Sequence, residues 1–185
     1  SGILVEPHPV TYKRLLHSGR TASALEHAAI CKEPTLVSMS LHGETPAKIV
    51  SRRVRAAPGN KTVRCLPLRH FLDKRARIDL LSIDVEGNEP EAAESIRGSR
   101  ASVGVVMVEV TVGDRRTVTM RELLAQGFTY VGLIDARPSP ANYVMSDVFV
   151  NLTHFDRFLP ESRVARARSV HAAASVRRKL RRSHP

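Results

Sequence analysis

Asp84-Val85-Glu86-Gly87-Asn88-Glu89 follows directly on the apolar run Ile78-Asp79-Leu80-Leu81-Ser82-Ile83. Carboxylates at the end of such a run are costly to bury unless they face a cleft. Placed there, they can polarise a bound hydroxyl, hold a cation or take a proton. Gly87 lets the backbone turn tightly and a ligand come near. The same acids would also serve to cap a helix beginning near Asn88. A second acid, Glu6, stands between Ile3-Leu4-Val5 and Pro7-His8-Pro9. A carboxylate at a strand tip is an acceptor-only group suited to the two hydroxyls of a ribose. Supporting the dipole of the helix that follows is an equal alternative for it. Glu109 is the third acid near a strand tip, closing the run of residues 103–110.

The elements that hold these residues alternate in type. Residues 3–5 read as a strand, and Pro7 and Pro9 stop it and admit a helix over 10–16. Residues 24–30 read as one short strand and 36–41 as another by alternation. Residues 42–61 read as an exposed excursion with one strand near Ile49, followed by an extended stretch over 62–66. Pro67 opens a short helix through Phe71 and Leu72. Residues 78–84 form the clearest strand, apolar enough to be covered on both faces. A helix over 90–96, a buried strand over 103–110, a helix over 118–126 ended by Gly127, and strands over 128–134 and 144–152 complete the reading. Strands and helices in this alternation predict an α/β fold with a doubly wound sheet, its ligand beyond the carboxyl ends of the strands.

Composition excludes several classes. The eight histidines form no HExxH pair, so no metal site is expected, and neither a GxSxG elbow nor a Walker loop is present. No stretch is long and apolar enough to span a membrane. Cys31 and Cys65 have neither metal-ligand spacing nor the number of a disulfide framework, which predicts buried free thiols and a reducing, cytoplasmic setting. The net charge of +11 is unevenly spread: from Glu161 onward eight Lys or Arg stand against one acid, so that stretch carries +7 of it. Arg177-Arg178-Lys179-Leu180-Arg181-Arg182 could attract phosphates non-specifically, but the tail has no aromatic residue for base stacking. Nucleic-acid binding is therefore expected only through this tail.

Taken in order, the motifs resemble those of the FkbM family of S-adenosylmethionine-dependent methyltransferases. Ile3-Leu4-Val5-Glu6-Pro7-His8-Pro9, with Tyr12 and Leu15-Leu16, looks like its second motif, and Ala28-Ala29-Ile30 like the segment after it. Val63-Arg64-Cys65-Leu66-Pro67-Leu68-Arg69-His70-Phe71-Leu72-Asp73 resembles the approach to the central motif, which Ile78 to Glu89 match closely. The likeness spans residues 2–110 and continues, weaker, to about residue 152.

The resemblance implies a Rossmann-like class I methyltransferase fold with a mostly parallel, doubly wound sheet, and O-methylation of a sugar or small-metabolite hydroxyl. It implies Glu6, Ala28, Ala29 and Asp84 as contacts of S-adenosylmethionine, Asp84 and Glu86 at the methyl-transfer centre, and Glu89 and Glu109 toward the acceptor. Asp84 is the preferred proton acceptor. The family also has a first strand and glycine-rich loop that find no counterpart before Ile3, so an N-terminally incomplete domain over 1–158 is expected. A basic extension, helical or disordered, is expected over 159–185. Two other readings remain: a non-catalytic binder of nucleic acid or anionic surfaces through the tail, and an NAD-dependent Rossmann oxidoreductase.

Overall fold

The computed structural model describes residues 2–20, 24–40, 49–51, 60–109, 113–139 and 142–158. The chain runs β1 (Ile3–Val5), α1 (Pro9–Leu16), β2 (Ala24–Glu26), β3 (Ala29–Ile30), β4 (Thr35–Ser40), β5 (Ile49–Ser51) and β6 (Asn60–Leu66). It continues through α2 (Leu68–Leu72), β7 (Arg77–Ile83), α3 (Glu89–Glu94), β8 (Ser102–Glu109) and α4 (Asp114–Ala125) to β9 (Thr129–Ser139), β10 (Asn142–Val150) and α5 (Leu152–Phe158). The basic tail lies outside the described residues, as do 41–48 and 52–59 of the excursion. Among the described residues no helix is long and apolar enough to cross a membrane.

The fold is α/β, but its strands form three sheets. β1 and β2 pair in parallel as a sheet of their own, β7-β8-β10-β9 form a second, and β3-β6-β4-β5 a third. Only β1 with β2, β3 with β6 and β7 with β8 run parallel; β10 lies antiparallel to β8 and β9, and β4 antiparallel to β5 and β6. The expectation of one mostly parallel sheet is corrected accordingly. Hairpin returns such as β9 to β10 need no crossover helix, and they reverse strand direction.

Other boundaries shift for local reasons. The strand anticipated over 24–30 is two strands in different sheets: at His27 the chain leaves β1 and turns inward, with its Nε2 paired to the Pro7 carbonyl at 3.0 Å and Ala28 fully buried. Helix α4 begins at Asp114, a turn ahead of its first apolar residue, because Arg115 and Arg116 hide that turn from a reading based on apolar spacing. β7 occupies a sheet edge and is covered on one side only: Ile83 is buried, whereas Leu80 stands 55% exposed.

One apolar core joins the first two sheets. Ile83, Val106, Val108 and Phe149 meet Leu123 of α4 and Phe71 and Leu72 of α2, with Ile3 and Val5 of β1 packed against them. A smaller core inside the third sheet holds Ala29, Val37, Met39 and Val63 around a Cys31–Cys65 disulfide. The free thiols inferred from cysteine number are thus corrected. The two cysteines lie 34 residues apart, but β3 sets Ala29 opposite Cys65, and Cys31 follows two residues on. With the thiols paired, the argument for a reducing compartment loses its basis.

α5 closes on β8 through His154, which is 1% exposed, with Nδ1 3.0 Å from Ser102 Oγ and Nε2 3.4 Å from Asp79 Oδ1. Gly104 makes room for that ring. A Cβ there would lie 2.7 Å from His154 Cδ2 and 3.1 Å from the Asp79 carbonyl. Gly104→Ala is therefore expected to destabilise the fold by about 1–3 kcal/mol, read as a lower midpoint in urea unfolding.

Candidate active site

The carboxylates singled out above stand at the ends of parallel strands. Asp84 and Glu86 leave the end of β7, and Glu109 is the last residue of β8, which pairs beside it up to Ile83 opposite Val108. The three lie close enough that ligand oxygens of all three fall within 4.8 Å of one another. Such a cluster can hold a cation, as hard oxygen donors do, or share a proton.

The turn that presents them is unusual in backbone. Glu86 has φ 53° and Gly87 φ 95°, so a non-glycine residue sits in the left-handed region at a cost of order 1 kcal/mol. Gly87 meets the following demand without a side chain. Three contacts hold the turn. Glu89 Oε1 accepts the Gly87 N–H at 2.9 Å, the Asn88 N–H reaches the Val85 carbonyl at 3.4 Å, and Arg115 at the start of α4 donates to the Gly87 carbonyl. Glu89 is 1% exposed, so the role visible for this residue is to close the turn.

Glu6 lies at the tip of β1, where Oε1 accepts the His8 N–H at 2.7 Å. His8 in turn caps α1, its Nδ1 accepting from the Thr11 N–H at 3.4 Å. Glu6 thus serves the helix entrance through one oxygen, one of the two roles considered for it. Tyr12 stacks on His27 at 4.8 Å beside this tip. Ala28 and Ala29 are 0% and 3% exposed, one in the main core and the other beside the disulfide. A link runs from this side to the carboxylate turn, since Asn88 Nδ2 donates to the Ile30 carbonyl at 2.6 Å.

Electrostatics distinguish Glu109. Burial, the hydrogen bond to Asp84 and then the charges of Asp84, Glu86 and Glu89 raise its pKa from 4.5 to about 7. A raised carboxyl pKa favours the folded state while the proton is held, so this contribution is complete below pH 4.5 and is lost as pH rises through about 7.

Sequence reasoning missed an ion pair beside Glu109. Arg116 of α4 grips Asp147 of β10 through Nε at 2.7 Å and Nη2 at 2.8 Å, and the Tyr130 hydroxyl donates to Asp147 Oδ1 at 3.0 Å. Arg116 and Asp147 line one cleft with Glu89, Glu109, Met120 and Phe149. The Asp147 side chain is 4% exposed. Its hydrogen bond and charge hold Arg116 above the usual arginine range, and burial, then the Asp147 bond, raises the Tyr130 phenol. The available signal was an acid at an inward position of a strand, between Ser146 and Val148.

A family model described as the methyltransferase FkbM domain matches residues 1–130. No curated protein and no solved structure matches the chain.

Proposed function

The chain belongs to the FkbM methyltransferase family, and we propose accordingly that it methylates a hydroxyl of a sugar or other small metabolite with S-adenosylmethionine as donor. The observation that carries this reading is the carboxylate cluster of Asp84, Glu86 and Glu109 at the ends of two parallel strands. That cofactor supplies an electrophilic methyl group on a positively charged sulfur.

The donor set suits it. Acceptor-only, negatively charged groups complement a cation and a ribose diol, and a family member with neutral or basic strand tips would not fit. Glu6 would hold the ribose hydroxyls with the oxygen not used by His8, and Asp84 would complement the sulfonium; Ala28 and Ala29, 0% and 3% exposed, offer no surface to the adenine that the resemblance assigned them. Acceptor binding would fall to Glu109 and to the turn closed by Glu89.

The work of the protein is then largely alignment, because displacement at a methyl carbon needs the entering oxygen in line with the leaving sulfur. As the acceptor oxygen is methylated it must lose its proton. Asp84, ahead of Glu86, is the group we assign to take it. Glu109 would modulate this role: while protonated its carboxyl donates a hydrogen bond to Asp84 and so occupies an oxygen that would take the substrate proton, and once ionised it no longer does.

Turnover is therefore expected to climb with pH through about 7, the pKa of Glu109. In a Glu109→Gln variant that limb should be missing, with the rate flat across the same interval. A wild-type profile level between pH 6 and 8 would remove the assignment. The reading as a whole is tested by isothermal titration with S-adenosylhomocysteine and with NAD. Saturable binding of the first and none of the second is expected, and the reverse would turn the assignment to the oxidoreductase.

A further inference from the structure

Asn88 occupies the N-cap of α3, yet its side chain makes no capping bond to that helix, which is the ordinary use of an asparagine there. The side-chain amide leaves the turn instead and donates to the carbonyl of Ile30 at 2.6 Å, 58 residues away in sequence. Ile30 ends β3. The next residue is Cys31, whose N–H bonds the Leu66 carbonyl at 3.1 Å and whose sulfur is joined to Cys65. β3 has only two residues, matched to Cys65 and Leu66 of β6. So short a pairing restrains a strand weakly on its own, and the covalent link acts together with the burial of Ile30 in the main core to hold the carbonyl that Asn88 engages.

We infer that the Cys31–Cys65 disulfide positions the 84–89 turn, acting through the Ile30 carbonyl and the Asn88 side chain, so that opening the disulfide loosens the carboxylate cluster. The catalytic meaning of this coupling rests on the methyl-transfer reading; the mechanical coupling does not. A dithiol opens the disulfide: one of its thiolates attacks a cysteine sulfur, the S–S bond breaks, and the second thiolate resolves the mixed disulfide. Two cysteine thiols result, and the reductant departs as its own disulfide. β3 is then free to part from β6, and Asn88 can revert to capping α3.

The test is hydrogen–deuterium exchange on the full chain, oxidised and after dithiothreitol. Exchange at Gly87 and Asn88 is expected to quicken about tenfold on reduction, the size of one lost hydrogen bond, while amides of β8 and β10 keep their protection. A Cys31→Ala/Cys65→Ala variant should show the same without reductant. Asn88→Asp removes the donor but retains a good helix cap. In oxidised protein it should quicken exchange in the turn with no fall in melting temperature, a split that a purely stabilising role would not produce. Unchanged exchange in the turn on reduction overturns the inference. So does loss of protection throughout the chain, which would make the disulfide a staple of the whole fold. Titration with S-adenosylhomocysteine separates the two readings: failure of the oxidised protein to bind it sinks the methyl-transfer assignment, whereas the exchange comparison, which needs no ligand, decides the coupling alone.

Discussion

Asp84→Asn is expected to lower methyl transfer by about 10²–10⁴-fold, the usual contribution of a positioned general base, with little change in affinity for S-adenosylhomocysteine. The substitution keeps the shape of the side chain at the end of β7 and removes its capacity to accept a proton. It also removes a charge from a cluster whose ligand oxygens lie within 4.8 Å of one another, so Glu109 should titrate lower than about 7 in the variant. Rate and titration are separate readouts. Measured with radiolabelled donor, an Asp84→Asn protein with full turnover would move the role of base elsewhere; a Glu109 titration unmoved in the carbon-detected spectrum would break the link between the two carboxyls.

Arg116→Met should have the largest effect on stability. It leaves the Asp147 carboxylate, 4% exposed, buried with a hydrogen bond from the Tyr130 hydroxyl. Breaking one side of such a pair costs about 3 kcal/mol, the lower end of the range because the guanidinium is partly solvated. For a chain of this size that corresponds to a melting temperature lower by roughly 6–12 °C. Arg116→Met/Asp147→Leu, which removes both charges, should recover most of the loss. A double variant no more stable than Arg116→Met alone would show that the pair does not act as a unit.

What the sequence disclosed about this site was its strand tips. An apolar run that ends in acids announces both a strand and the end that faces a ligand, and Glu6, Asp84, Glu86 and Glu109 all stand at such ends. Contacts between distant elements were hidden. Cys31 and Cys65 meet only because β3 lies beside β6, and Arg116 and Asp147 only because α4 covers β10. Asn88 read only as the place near which a helix begins, and nothing local reveals that its amide is committed to Ile30. The sheet pattern was misjudged for a related reason. Apolar content marks a strand as partly buried but does not say how many neighbours it has, and Leu80 is as apolar on an open edge as in a covered one.

β1 and β7, which lead to Glu6 and Asp84, belong to different sheets joined by a common core, with Ile3 and Val5 packed against it. A ladder of backbone hydrogen bonds shifts only in whole residue steps, whereas interlocked hydrocarbon side chains yield by fractions of an ångström. The placement of β1 against β7 therefore rests on side-chain packing, and a small shift between the two strands costs dispersion contacts gradually without breaking any strand pairing.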